Sequence, residues 1–443
     1  MKNDLLMPGS RRLGWYLAGV LWGGGLVALL AACLLRNPLL LRWRDMATPL
    51  LLVMPVLGLF ALTGRRWRTT PYPLNRRMLC VLWLSVWVTV GAQEAQFYWG
   101  KHSVFMSGTA EAQTLGAHFI IGYHPGSEIQ SLAAKGLVGG IFVDASSMKG
   151  RTQAQIAAEI ADLQLIRQQA GLPPLIVSTD QEGGIVSRMS PPLAQRPALA
   201  EKLAGAKPED IEGIAFDYGR AHGRELASLG VNVNLAPVAD LSISHQRQKL
   251  DVHSLIAQRA IDADPHRVSA AVIGYAHGLE SQGVQATLKH FPGLGRVAAD
   301  THLFRASLSV GLDTLEASDW VPFREGLRST KSLLMVGHAS LSAVGDDIPA
   351  SLSSHVVQGI VRDRWGHQGV LVTDSLAMAP VLRYGLCRAG TDALNAGIDL
   401  LLVSYDTEQY YTIMHCLMQA RRSGRLDEGQ LRKSGMRLQR LRS

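Results

Sequence analysis

Cysteine is scarce in this sequence: four residues in 443. They form no Cys-x-x-Cys pair and no metal-ligand spacing, which argues against a zinc ribbon or a dithiol redox centre. Cys33 and Cys80 fall in apolar N-terminal stretches and read as packing residues. Cys387 and Cys416 lie in the body of the chain, where a disulfide needs an oxidising compartment and matching geometry. A net basic excess is also missing from most of the chain, although the formal net charge is +8. Residues 1–110 hold twelve Lys/Arg against three Asp/Glu, and the remaining 333 hold 32 against 33. The excess belongs to the N-terminal segment, so the body does not read as a nucleic-acid-binding surface. Low-complexity stretches do not divide the body. The one boundary falls near residue 110, between a segment at 1–110 and a larger domain at 111–443.

The N-terminal segment holds long uncharged runs. Gly14–Leu35 is 22 residues without a charge, enough to cross a bilayer as a helix, and Met46–Gly64 adds 19. Met78–Ala92 is shorter, at 15, and carries tryptophans. A signal peptide fits poorly, because the first run is too long and a second follows at once. Two to three transmembrane helices are expected, with the bilayer as a partner. The loop between the second and third runs carries Arg65, Arg66, Arg68, Arg76 and Arg77, and the N-terminal tail carries Lys2, Arg11 and Arg12. By the positive-inside rule both are cytoplasmic, and a third crossing places the rest of the chain on the extracytoplasmic (periplasmic) side. Arg36, Arg42 and Arg44 in the first loop point the other way, and without the third crossing the body stays in the cytoplasm. The apolar runs contain no Asp, Glu or Lys to mark a transport pathway.

From about residue 115, short apolar runs alternate with amphipathic helical stretches. The runs are 118–123, 139–144, 174–180, 231–237, 286–291, 332–338, 369–374 and 399–404. Apolar runs without polar alternation suit parallel strands buried on both faces. Eight such units predict an α/β fold, a (β/α)8 TIM-type barrel following the transmembrane helices, with a doubly wound open sheet as the alternative. Polar residues gather at the C-terminal ends of the runs: Asp180, Asp240, Lys289, His290, His338 and Asp374. In a closed barrel those ends converge on one mouth.

Three stretches carry chemistry. In TDQEGGIVSRM (179–189), Asp180 and Arg188 are suited to charge-assisted bonds to sugar hydroxyls, with Gly183 and Gly184 permitting a tight turn between. A structural turn with a surface ion pair is the plainer alternative. In VLVTDSLAM (370–378), Asp374 ends an apolar strand as a helix cap or as a nucleophile. In KHFPGLGRVAADTH (289–302), Asp300 and His302 are two apart and share one side of an extended segment. A carboxylate beside an imidazole makes an acid/base pair, while His290, Asp300 and His302 offer a rival metal-ligand set.

KHFPGLGRVAADTH resembles the KH-[FI]-P-G-[HL]-G-x4-D-[ST]-H motif of glycoside hydrolase family 3, in its bacterial β-N-acetylglucosaminidase (NagZ-type, β-hexosaminidase) branch. TDQEGGIVSRM, NLAPVAD (234–240), PASLS (349–353), GVLVTDSLAM and AGIDLLLV (396–403) resemble further family motifs in the same order, over about residues 112–420. The resemblance implies a retaining exo-β-N-acetylglucosaminidase on a (β/α)8 barrel, acting on cell-wall or chitin-derived glycans without metal or other cofactor. It implies Asp374 as nucleophile, His302 as acid/base and Asp300 as its orienting partner. Asp180, Arg188, Arg259, Lys289 and His290 would bind the non-reducing N-acetylglucosamine. Three positions depart from the pattern: Ile185 stands where an arginine follows the paired glycines, and Ala257 and Ile261 replace a glycine and an aromatic around Arg259. A phosphorylase, a different family 3 β-glycosidase and a catalytically inactive glycan-binding protein are the alternatives. Loss of Asp374 or His302 would mark the last, and both are present.

Overall fold

The computed structural model describes residues 9–37, 41–63, 73–126, 128–243, 254–297, 300, 304 and 306–442. The chain divides into two compact units, Met1–His102 and Ser103–Ser443. Three helices are long and apolar enough to cross a membrane: Gly9–Cys33, Leu41–Thr63 and Pro73–Met106, the last ending four residues past the first unit. The third continues well past the apolar run at Met78–Ala92. At 34 residues it is about 51 Å long, against about 30 Å of bilayer hydrocarbon. Small residues let these helices pack closely. A Cβ on Gly58 would lie 2.5 Å from the Trp83 ring, and Trp83 is buried with Ala28, Ala32, Leu51 and Leu79. Two polar pairs within this unit are Arg36 with Glu94 and the Trp22 indole with Asn75, to which it donates at 2.8 Å.

The second unit carries eight parallel strands: β1 Phe119–Gly122, β2 Gly140–Phe142, β3 Ile176–Thr179, β4 Val233–Asn234, β5 Gln285–Phe291, β6 Leu333–Val336, β7 Leu371–Thr373 and β8 Leu401–Val403. From β1 to β7 each pairs with the next in sequence, and β8 returns to β1 with Phe119 opposite Leu401. The remaining seam, β7 to β8, is joined through a Val372–Leu400 bridge and a Thr373 N–H to Leu400 C=O bond of 2.9 Å. The sheet is therefore a closed (β/α)8 barrel, and the eight apolar runs are its eight strands.

The barrel interior is filled by Ile120, Phe142, Ile176, Val233, Met335, Val372 and Leu402. The C-terminal helix Glu428–Arg442 adds Leu438 and Leu441 to that core. Local signals set the outer helices. Thr152 and Gln155 form a capping box ahead of the helix Gln153–Gln169, and Asp264 caps Pro265–Glu280, with the proline at its first turn. Buried Asp399, just ahead of β8, takes Arg362 at 2.7 Å and Arg437 at 2.8 Å, tying the C-terminal helix to the strand.

Cys387 and Cys416 are joined as a disulfide, which links the helices Leu386–Ala396 and Glu408–Arg422. Replacing both by serine is expected to lower the unfolding free energy of the barrel by about 2–4 kcal/mol. Thermal melts of the full chain in detergent check this; an unchanged melting temperature would mean that the bond contributes nothing.

Candidate active site

The candidate residues gather where the strands end. Asp180 directly follows β3, Lys289 and His290 lie in the last three positions of β5, and Asp374 directly follows β7. Arg259 ends the short helix Ile256–Arg259. A tight hairpin, Gln181–Gly183 against Val186–Ser187, carries Glu182 back over the mouth. Its turn depends on glycine. Gly183 has φ +93°, and a Cβ there would lie 2.0 Å from the Tyr218 hydroxyl. Beneath it, the Tyr275 hydroxyl donates to the Gln181 carbonyl at 3.1 Å.

Five of these side chains and Asp240 form one continuous polar chain. Lys289 Nζ lies 2.6 Å from Asp180 Oδ1 and 2.6 Å from Glu182 Oε1. The Arg259 guanidinium grips Glu182 with two bonds, Nε to Oε2 at 2.9 Å and Nη2 to Oε1 at 2.7 Å. Its Nη2 also meets His290 Nε2 at 3.3 Å. His290 Nδ1 lies 2.7 Å from Asp240 Oδ2. A carboxylate only accepts, so Nδ1 carries the proton and Nε2 is left to accept from Arg259. Asp240, fully buried, also takes the backbone N–H groups of His290 and Leu294. It thereby holds the turn after β5 in place. The turn packs closely, since a Cβ on Gly295 would lie 2.0 Å from the Leu241 carbonyl.

Burial raises the pKa of Glu182, but Arg259 and then Lys289 outweigh it and bring the carboxyl down to about 2. The same Glu182 pushes Arg259 upward against the effect of burial, so the guanidinium stays charged. A bidentate arginine and a lysine on one carboxylate is the geometry that makes a buried charge tolerable. Asp180 is the more exposed of the two carboxylates, 22 % against 7 % for the side chain.

Asp374 is half-buried. Its Oδ1 accepts from the Ser375 N–H at 2.7 Å, and its own N–H donates to Val336 in β6. Buried His338 braces this segment: Nε2 meets the Ser375 carbonyl at 3.0 Å and Nδ1 meets Ser351 Oγ at 2.8 Å. Arg188 is half-buried, and its backbone N–H donates to the Asp180 carbonyl at 3.0 Å. Asp300 is fully buried on the loop after β5. His302 lies outside the described residues.

Residues 110–441 match the glycosyl hydrolase family 3 N-terminal domain. This chain belongs to that family. It is accordingly a glycoside hydrolase. A β-hexosaminidase of Xylella fastidiosa is 34% identical over 251 residues, covering 56% of this chain and 72% of that protein. A family 3 β-N-acetylglucosaminidase from a Paenibacillus species superposes with a TM-score of 0.68 at 30% identity, over 74% of this chain. This chain spans 61% of that one's length. A family 3 glycosyl hydrolase of Mycobacterium smegmatis gives 0.67 at 28% identity, over 77% of this chain and 98% of its own.

Within this family 3 barrel, the structure brings Asp180 against Lys289 and Arg259 against His290, the two pairs joined through Glu182. It also adds Glu182, from the 179–189 stretch, and Asp240, which the sequence marks only as a strand-end polar group. Glu182 sits at the centre of the chain of contacts, a position that only the three-dimensional arrangement reveals. Its folded pKa of about 2 lies below the ordinary 4.5. Its contribution is therefore full above about pH 4.5 and is lost as the pH falls toward 2. Glu182→Gln leaves Lys289 and Arg259 short of counter-charge and is expected to cost about 3–5 kcal/mol at neutral pH. Denaturant titrations of wild type and variant at pH 7 and pH 4 check both parts. The loss should be larger at pH 7 than at pH 4, and the reverse order contradicts the assignment.

Proposed function

We propose that this protein is a membrane-anchored, retaining exo-β-N-acetylglucosaminidase that acts on cell-wall or chitin-derived glycans. The observation that carries the reading is the joint placement of Asp374 and the Asp180–Lys289–Glu182–Arg259–His290 chain at strand ends on the same face of the barrel. A rigid, charged cluster beside a half-buried carboxylate suits a sugar whose hydroxyls are fixed and whose anomeric carbon is attacked. Asp180, Lys289, Arg259, His290 and Arg188 would bind the non-reducing N-acetylglucosamine. The β-hexosaminidase and β-N-acetylglucosaminidase names of the relatives support this choice of sugar.

In this mechanism an Asp374 oxygen attacks the anomeric carbon as the bond to the glycosidic oxygen breaks. His302, protonated, gives its proton to that leaving oxygen, with Asp300 orienting the ring. The neutral imidazole then takes a proton from water, which attacks the anomeric carbon and releases Asp374. Two inversions at one carbon give retention. An unperturbed imidazole titrates at about 6.5, so one group can serve as acid and then as base near neutrality.

The extracytoplasmic side is the proposed location of the barrel. The arginines at 65–77 favour a cytoplasmic second loop. The Cys387–Cys416 disulfide supports the same side, because such bonds persist in oxidising compartments. External protease added to cells with a permeabilised outer layer should reach the barrel, and protection of the barrel would contradict its export.

Activity is tested with the full chain in detergent on a chromogenic β-N-acetylglucosaminide. The wild type is expected to turn over, Asp374→Ala to lose at least about a thousandfold in kcat, and His302→Ala about 100- to 10,000-fold. Retention of most activity in either variant overturns its assigned role.

A further inference from the structure

Six large apolar side chains are well exposed among the described residues of the barrel unit: Met106, Leu165, Ile185, Phe304, Tyr405 and Met436. Three of them, Ile185, Phe304 and Tyr405, stand on segments that follow β3, β5 and β8, the face that carries the site. Tyr405 is the best placed. It follows Ser404, whose Oγ donates to Ser375 Oγ at 3.0 Å, and Ser375 adjoins Asp374. The Leu376 N–H to Leu402 C=O bond, 2.8 Å, fastens the same two segments together. Half of the tyrosine's surface is exposed. Burial raises the pKa of its phenol, Arg188 works against that rise, and Asp180 and Asp374 add to it. The ring thus lies within electrostatic reach of both the sugar-binding charges and the nucleophile.

We propose that Tyr405 is the aromatic platform of the sugar site, its ring face taking the C–H face of the pyranose whose hydroxyls bond Asp180 and Arg188. The proposal rests on the reading of those two residues as sugar ligands. A pyranose with equatorial hydroxyls is amphipathic: its polar groups point outward at the rim and its axial C–H groups cover the faces. The charged chain satisfies the rim. Only an apolar surface suits a face, and the negative face of an aromatic ring attracts C–H groups. A site of this kind combines an apolar wall with a few placed polar groups. Tyr405 lies two residues beyond the AGIDLLLV stretch and outside the other motifs that carry the family resemblance.

The test uses the full chain in detergent, with wild type, Tyr405→Phe and Tyr405→Ala compared. Turnover of chromogenic β-N-acetylglucosaminide and β-glucoside is measured together with calorimetric binding of N-acetylglucosamine. Tyr405→Ala is expected to raise KM and weaken sugar binding about tenfold, with kcat within about threefold of wild type. Tyr405→Phe should behave as wild type, because it keeps the ring. Equal binding by Tyr405→Ala, or a loss in Tyr405→Phe as large as in Tyr405→Ala, overturns the platform. Turnover of the β-glucoside alone, with the same dependence on Tyr405, overturns the N-acetylglucosaminidase reading and sustains the platform. A wild type that binds and cleaves neither sugar overturns both.

Discussion

One buried carboxylate, Glu182, organises the mouth of this barrel. It lies between a bidentate arginine and a lysine, and both cations arrive from distant parts of the chain. Arg259 is 77 residues away, and Lys289 also reaches Asp180, 109 residues away. Without it Arg259 would lose its bidentate partner and Lys289 one of its two carboxylates. Through Arg259 the order passes to His290, and from His290 to Asp240, which holds the turn after β5. A shift in any one group would leave a neighbour's charge or hydrogen bond unmet, so the cluster behaves as a unit. The cost of burying it is offset by geometry, and what results is a rigid, charged cluster at the strand ends.

The barrel makes this arrangement available. Eight parallel strands end on one face, so residues scattered from position 180 to position 405 become neighbours. Closure between β7 and β8 matters most, because Asp374 and Tyr405 leave the sheet on either side of that seam. The opposite end serves stability, since Asp399 ties β8 to the C-terminal helix through Arg362 and Arg437. Fixing the floor leaves the loops at the mouth as the place where specificity varies.

Much of this is legible in the residues alone. Parallel strands buried on both faces read as plain apolar runs, and all eight runs are barrel strands. Asp180, Lys289, His290 and Asp374 stand out because each follows or ends such a run. Glu182 and Asp240 are harder to read. Their neighbours in sequence explain neither, and their roles emerge only when Arg259, Lys289 and His290 converge. Tyr405 is silent for a related reason, since a single aromatic between a serine and an aspartate carries no pattern. The third N-terminal helix outruns its apolar stretch, because polar residues from Gln93 onward end the run without ending the helix. Helical hydrogen bonding continues wherever backbone geometry allows, whatever the polarity of the side chains.

The central claim is that Asp374 becomes covalently attached to the sugar. Its most direct measurement is peptide mass spectrometry of the full chain during reaction with a slowly hydrolysed 5-fluoro-N-acetylglucosaminyl fluoride. One glycosyl unit on the peptide that holds Asp374 is the predicted result. Consumption of the reagent with the adduct on another residue, or with no adduct at any stage, would contradict it.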